Sequence, residues 1–210
     1  MTTTINVQGE MVEIHFASSD QHVGHRNIAR LAGRPFDNSY STNHMDETLI
    51  QNWNNMVRPE DNVLVLGDVA LGSITDSLEK WKRFNGTLFL VPGNHDRVSS
   101  VESKARQTRF RPLYEDAGFI ILDETINVMI DGVPALASHY PYKGDSGDHV
   151  HDRHVNLRPV NEGLPLIHGH THAHKATDPV DYPRQFHVGA DAHDYKPVPI
   201  EVIENWVHNL

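Results

Sequence analysis

Gly93-Asn94-His95-Asp96 sets an amide, an imidazole and a carboxylate side by side, directly after Thr87-Leu88-Phe89-Leu90-Val91-Pro92, an apolar run that reads as a buried strand. Groups at the carboxyl end of a strand face the crevice where open α/β sheets bind ligands. This turn can offer one neutral metal ligand, the Asn94 oxygen, and one proton donor, the His95 ring. Comparable groups recur along the chain. Asp20-Gln21-His22 follows an alternating strand-like stretch, and on extended backbone Asp20 and His22 would point to one side as a metal clamp. Gly67-Asp68 ends the apolar run Asn62-Val63-Leu64-Val65-Leu66, with the glycine permitting a tight turn. His139 follows another short apolar run, and His168, His170, His172 and His174 alternate, which is a strong metal signal. Carboxylate and imidazole suit manganese, iron, zinc, nickel or cobalt, and the ligand types alone do not choose among them.

The composition narrows the setting. A chain of 210 residues is long enough for one well-buried domain and short for two, so residues 1–210 are expected to form a single unit. The absence of cysteine excludes disulfides and thiolate metal sites. The first eight residues are polar and lack the apolar core of a signal peptide. No apolar run approaches the roughly 20 residues of a membrane span. A soluble, cytoplasmic protein with no membrane partner is expected. The formal net charge of −10 argues against long duplex nucleic acid as a partner, although bound divalent cations would reverse the field locally. The 16 histidines are an excess, but only their placement makes any of them a ligand.

The elements that must position these groups alternate in the first half. Residues 12–17 read as a strand and 25–33 as a short helix. Arg26, Arg30 and Arg34 would share a face of that helix, and Arg26 lies nearest the clamp, best placed of the three to touch a substrate phosphate. Residues 43–57 read as an amphipathic helix with Asn43 as its N-cap. Strand 62–66, helix 75–84 and the strand before Gly93 complete an α/β pattern. Lys104, Arg106, Arg109 and Arg111 read as solvated surface, with an anion-attracting rim as the other reading. Residues 119–122, 126–130 and 134–137 read as strands, the last two joined by Asp131-Gly132 as a hairpin. Residues 142–163 have no periodicity and are expected to be an active-site loop, carrying Lys143, His149, His151, Arg153, His154 and Arg158. Residues 185–189 read as a strand, and 199–208 as a closing strand or short helix.

Taken in order, Asp20-x-His22, Gly67-Asp68, Gly93-Asn94-His95-Asp96, His139 and Gly169-His170-Thr171-His172 resemble the calcineurin-like metallophosphoesterase superfamily, over about residues 12–190. The resemblance implies an α/β fold, a four-layer αββα sandwich of two mixed sheets flanked by helices. It implies two divalent metal ions, manganese first, with iron, zinc, nickel, cobalt or magnesium as alternatives. Asp20, His22 and His172 would ligate one ion and Asn94, His139 and His170 the other, with Asp68 bridging. His95 would protonate the leaving oxygen, and Arg26, Asn94 and His95 would meet the substrate. Asp96 would either orient His95 or cap a following helix. The implied activity is hydrolysis of phosphodiester bonds of a small nucleotide, such as a cyclic nucleotide, or of a short nucleic acid, through a metal-bridging hydroxide. A phosphomonoesterase or nucleoside-polyphosphate hydrolase is the alternative within this chemistry, and a non-catalytic scaffold the alternative outside it. Gly67-Asp68-Val69-Ala70-Leu71-Gly72 lacks the Gly-Asp-x-x-Asp-Arg-Gly of the protein phosphatase branch. The chain looks more like the small single-domain phosphodiesterases of bacteria and their viruses.

Overall fold

The computed structural model describes residues 2–145 and 151–210. His149 therefore lies outside the described residues. A seven-stranded mixed sheet is built from β1 (Thr4–Val7), β2 (Glu10–Glu13), β7 (Thr125–Ile130), β8 (Val133–Ser138), β9 (Leu166–His168), β10 (Thr177–Asp178) and β11 (Tyr182–His187), in the order β10-β11-β9-β8-β7-β1-β2. A five-stranded mixed sheet has the order β12-β3-β4-β5-β6, with β3 (Phe16–Ser18), β4 (Asn62–Val65), β5 (Thr87–Leu90), β6 (Phe119–Ile121) and β12 (Val198–Pro199).

Alternation along the strands sorts the core into two parts. Val63, Val65, Leu88 and Leu90 face the helices α1 (Ile28–Leu31), α2 (Asn43–Asn54), α3 (Ile74–Trp81) and α4 (Lys104–Asp116), around buried Trp53 and Trp81. Leu64, Leu66, Phe89 and Val91 face the other way and pack against Ile5, Val128, Ala137 and Ile167 of the seven-stranded sheet. The last helix, α5 (Ile200–Val207), adds Ile200, Ile203 and Val207 to this inter-sheet core. Both faces of β4 and β5 are thus covered, which is why their sequences are continuous apolar runs.

Several local expectations are changed or resolved. The alternating stretch 12–17 is not one strand: β2 ends at Glu13 in one sheet and β3 starts at Phe16 in the other. Between them, the Ile14 amide donates to Thr3 O and the His15 amide to Asn62 O, so the chain crosses the sandwich there. The N-cap of α2 is Thr42, and Asn43 is already helical. The basic stretch 104–111 lies within α4, whose only buried residue is Tyr114, so it lacked the apolar stripe that marks a helix in sequence. The closing segment is a helix, and the short helix after Val23 is only one turn long.

Strand direction positions the site. β3, β4 and β5 are parallel, with Ser18, Val65 and Leu90 near their common ends. β8, β9 and β11 are parallel as well, with Ser138, His168 and, beside it, His187 in register. The segments leaving these six ends carry Asp20, Asp68, Asn94, His139, His170 and Asp191. Two unrelated sheets thereby deliver their polar turns to one place.

Candidate metal centre

Asp20, Asp68, His22, His139 and His170 are almost wholly buried, and His172 is partly exposed. Five of the polar residues at the site sit in left-handed backbone: Asp20 (φ 59°), His22 (53°), Asp68 (53°), His170 (71°) and His172 (52°). Each such residue costs on the order of 1 kcal/mol or more, and such strain concentrates at functional sites. Asp20 and His22 therefore do converge, through two left-handed turns and not through strand alternation. The glycines next to them permit close approach. A Cβ on Gly67 would collide with the Gly93 backbone, and one on Gly93 would collide with the Asp68 carboxylate.

The side chains form two groups that share one oxygen. In the first, His22 Nε2 lies 3.2 Å from His172 Nε2 and 4.0 Å from Asp20 Oδ1. In the second, Asn94 Oδ1, His139 Nε2 and His170 Nδ1 are mutually 3.0–3.2 Å apart. Asp68 Oδ2 stands between the groups, 3.7 Å from His22 Nε2 and 3.5 Å from His139 Nε2. The other oxygen, Oδ1, accepts the His95 backbone amide at 2.8 Å. A single carboxylate oxygen is thus the common point of the two groups.

Second partners fix which nitrogen of the His139 and His172 rings carries a proton. His139 Nδ1 donates to Leu66 O at 2.8 Å, and His172 Nδ1 to Asp191 Oδ2 at 2.7 Å. His170 Nε2 lies 3.1 Å from Asp145 Oδ1. The nitrogens left over are those that converge. Lone pairs packed at about 3 Å repel unless a positive charge sits among them, and ligands about 2.1 Å from one cation stand at such separations. Neutral imidazole ligands with carboxylate or carbonyl partners behind them are the usual arrangement at metals. The residues present therefore fit divalent cations. Asp20, His22 and His172 form one group that could hold an ion, and Asp20, Asp68 and His139 another.

Electrostatics agree. Burial raises the Asp20 carboxyl against the pull of His172 and His139. Burial drives His22 well down, reinforced by His172, and lowers His170 to about 2, reinforced by His139. Burial would lower His139 too, but the Asp68 and Asp20 carboxylates outweigh it and raise the ring.

Asp96, undecided in the sequence, neither orients the His95 ring nor caps a helix. It accepts the amides of Asp68 (2.8 Å), Val69 (3.2 Å) and Gly93 (2.8 Å), tying the two glycine turns together. Burial and the Asp68 charge raise it to about 7. The His95 ring is 42% exposed, with Nε2 3.9 Å from Asp68 Oδ2, and has no hydrogen-bond partner among the described residues. It opens into a cleft of about 760 Å³ whose walls include His25, Ile28, Arg30, Leu31, Leu71 and Arg153.

Arg26 is not part of that wall. Its guanidinium donates to Tyr40 O at 3.2 Å and lines a separate depression. The three-arginine stripe does not form either, because α1 ends at Leu31 and the chain turns at Gly33 (φ 67°), sending Arg34 inward. Of the four alternating histidines, only His170 and His172 join the cluster. His168 is buried against His187, ring centroids 5.4 Å apart, and His174 is exposed at the cleft's edge. In the 142–163 segment, Arg153 and Arg158 pair with Asp145, and the His154 ring lies 5.8 Å from that of His170. Sequence reading missed Asp145 and Asp191, and placed Arg34 on a helical stripe. The only signal for Asp191 was its place after a strand, in Val188-Gly189-Ala190-Asp191.

The calcineurin-like phosphoesterase superfamily domain matches residues 39–184, and the chain belongs to that superfamily. Asp20 and His22 precede the matched span, and His187 and Asp191 follow it. The chain is 32% identical over 201 residues to the gene 66 protein of Mycobacterium phage D29, covering 92% of this chain and 95% of that one. It is 28% identical to an uncharacterized protein of Methanocaldococcus jannaschii, covering 88% and 86% of the two chains. Among solved structures, a protein of unknown function from Aquifex aeolicus superposes with a TM-score of 0.66 at 26% identity, covering 90% of this chain and 97% of that one. Among the described residues, no helix is long and apolar enough to cross a membrane.

Proposed function

We propose that the protein is a dinuclear metal-dependent phosphodiesterase acting on a small nucleotide or a short single-stranded nucleic acid. The observation that carries the reading is the place of Asp68 Oδ2, between His22 Nε2 at 3.7 Å and His139 Nε2 at 3.5 Å, with the exposed His95 ring alongside. One group, Asp20, His22 and His172, would hold one cation; Asn94, His139 and His170 would hold the second; Asp68 would be shared. A pair of divalent cations, manganese first among them, supplies concentrated positive charge for an anionic ester and acidifies water near neutral pH.

The chain's own residues do the rest. His95, free of the buried clusters and open to the cleft, donates a proton to the leaving oxygen. The Asp68 carboxylate accepts from the His95 backbone, so the turn that carries the proton donor is tied to the shared ligand. Asp96 fixes both glycine turns from beneath. Arg30 and Arg153 stand at the cleft wall, where Arg26 does not, and meet the phosphate or its neighbours. Ile28, Leu31 and Leu71 give the same cleft an apolar side, with Leu31 62% exposed. That surface suits the second ester arm of a diester, which a monoester lacks.

The test is turnover of a bis-aryl phosphodiester against the matching aryl monoester, with metal-stripped protein and after adding Mn²⁺. Metal-dependent cleavage with the diester preferred is expected. A large excess of monoesterase activity would move the assignment to a phosphomonoesterase, and inactivity on both after reconstitution would sink the reading.

A further inference from the structure

We propose that Arg34 and Asp191 are positioning residues for the first cation group, and that they set its affinity without setting that of the second. The proposal rests on the metal reading above. Asp191 Oδ2 accepts from His172 Nδ1 at 2.7 Å, so the proton is held on that side and Nε2 is left facing His22 and Asp20. Arg34 then grips Asp191 with two bonds, Nε to Oδ1 at 2.8 Å and one terminal nitrogen to Oδ2 at 3.0 Å. The same guanidinium donates to Asp20 O at 2.6 Å and Gln21 O at 3.0 Å, the carbonyls inside the left-handed Asp20–His22 turn. One rigid planar group thereby holds both halves of the first group, which come from opposite sheets of the sandwich.

Two further observations favour positioning. The Arg34 and Asp191 side chains are fully buried. A buried ion pair gives little or no stability over an apolar pair of similar volume, so packing alone does not account for it. The turn that carries Asp191 is also tied to the turn that carries Asp20: Ala190 N donates to Ser19 O at 2.9 Å, and Ser19 and Gly189 form a parallel bridge. The second group is braced differently, by Leu66 O behind His139 and Asp145 beside His170. Loss of the Arg34–Asp191 pair should therefore act on one cation of two.

The experiment is equilibrium dialysis of the full-length protein against Mn²⁺, with melting of the metal-free forms followed by circular dichroism. Wild type, Asp191→Asn and the double variant Arg34→Met/Asp191→Leu are compared. Wild type is expected to take up two ions. Both variants should keep one ion at wild-type affinity and bind the other about 10–100-fold more weakly. The double variant should melt within a few degrees of wild type, so that the weakened ion is not explained by a weakened fold. Two ions at wild-type affinity in either folded variant, or equal weakening of both, would overturn the proposal. If the double variant does not fold, Asp191→Asn decides. A wild-type protein that takes up no Mn²⁺ overturns the metal reading itself, a result distinct from both.

Discussion

The two candidate ligand groups each set two imidazoles beside one oxygen donor, the Asp20 carboxylate in one and the Asn94 amide in the other, but they are braced by different means. Asn94, His139 and His170 lean on a main-chain carbonyl at the end of β4 and on Asp145, a residue of the 142–163 segment. Asp20, His22 and His172 lean on a buried guanidinium–carboxylate pair that reaches across both sheets. Backbone support comes with the fold and needs no particular side chain. The first group departs furthest from regular backbone, with left-handed residues at Asp20, His22 and His172, and it is there that the chain spends a buried ion pair. Local strain at a ligand has to be held by something, and here the holder is a pair of side chains from outside the ligand set.

The largest effect should come from the point the groups share. Asp68→Ala is expected to reduce diester turnover to background and to cost both ions, measured by Mn²⁺ uptake; retention of two ions would remove Asp68 from the shared position. His172→Ala and His139→Ala should each leave one ion of two and lower turnover by roughly 10³-fold. If either loses both ions, the groups are not independent. His95→Ala should retain two ions while kcat falls by about 10²-fold or more, with little change in KM; a lost ion would make His95 a ligand.

His168→Gln tests whether alternation in sequence was misleading. Burial holds the neutral His168 ring down at about 4, against an ordinary 6.5. The unfolded chain binds the proton more readily, so the stability of the metal-free protein should fall as pH drops from 6.5 towards 4. That single ring accounts for on the order of 3 kcal/mol across the window. The variant should flatten this part of the urea-unfolding profile and still bind two ions. The smallest effect is Arg26→Ala, with kcat/KM within about twofold of wild type, whereas Arg30→Ala should raise KM; the reverse would return Arg26 to the substrate.

Much of this site was legible because metal chemistry uses few residue types and strand ends place them. Each of the stretches 20–22, 67–68, 93–96 and 169–172 could be read from an apolar run followed by acid, amide or imidazole. The errors have a common source. Asp20 and His22 were read on extended backbone, Arg26, Arg30 and Arg34 on a longer helix, and His168 to His174 on an unbroken alternation. In each case a left-handed turn redirected the side chains, and periodicity cannot register a change of backbone hand. The break within 12–17 was missed for a related reason: the pattern of polarity continues while the chain crosses from one sheet to the other.

The sequence by itself determined the residue types of the centre, the order of the strands that carry them, and the apolar faces that drive those strands into two sheets. Only the tertiary structure decided that Asp68 presents one oxygen to both groups. It also decided that Asp96 binds amides and not His95, and that Arg34 lies beneath the centre with Asp191, 157 positions further along the chain. Such choices depend on which turns meet at the common edge of two sheets. That meeting is set by the packing of the whole inter-sheet core, and no local stretch of sequence contains it.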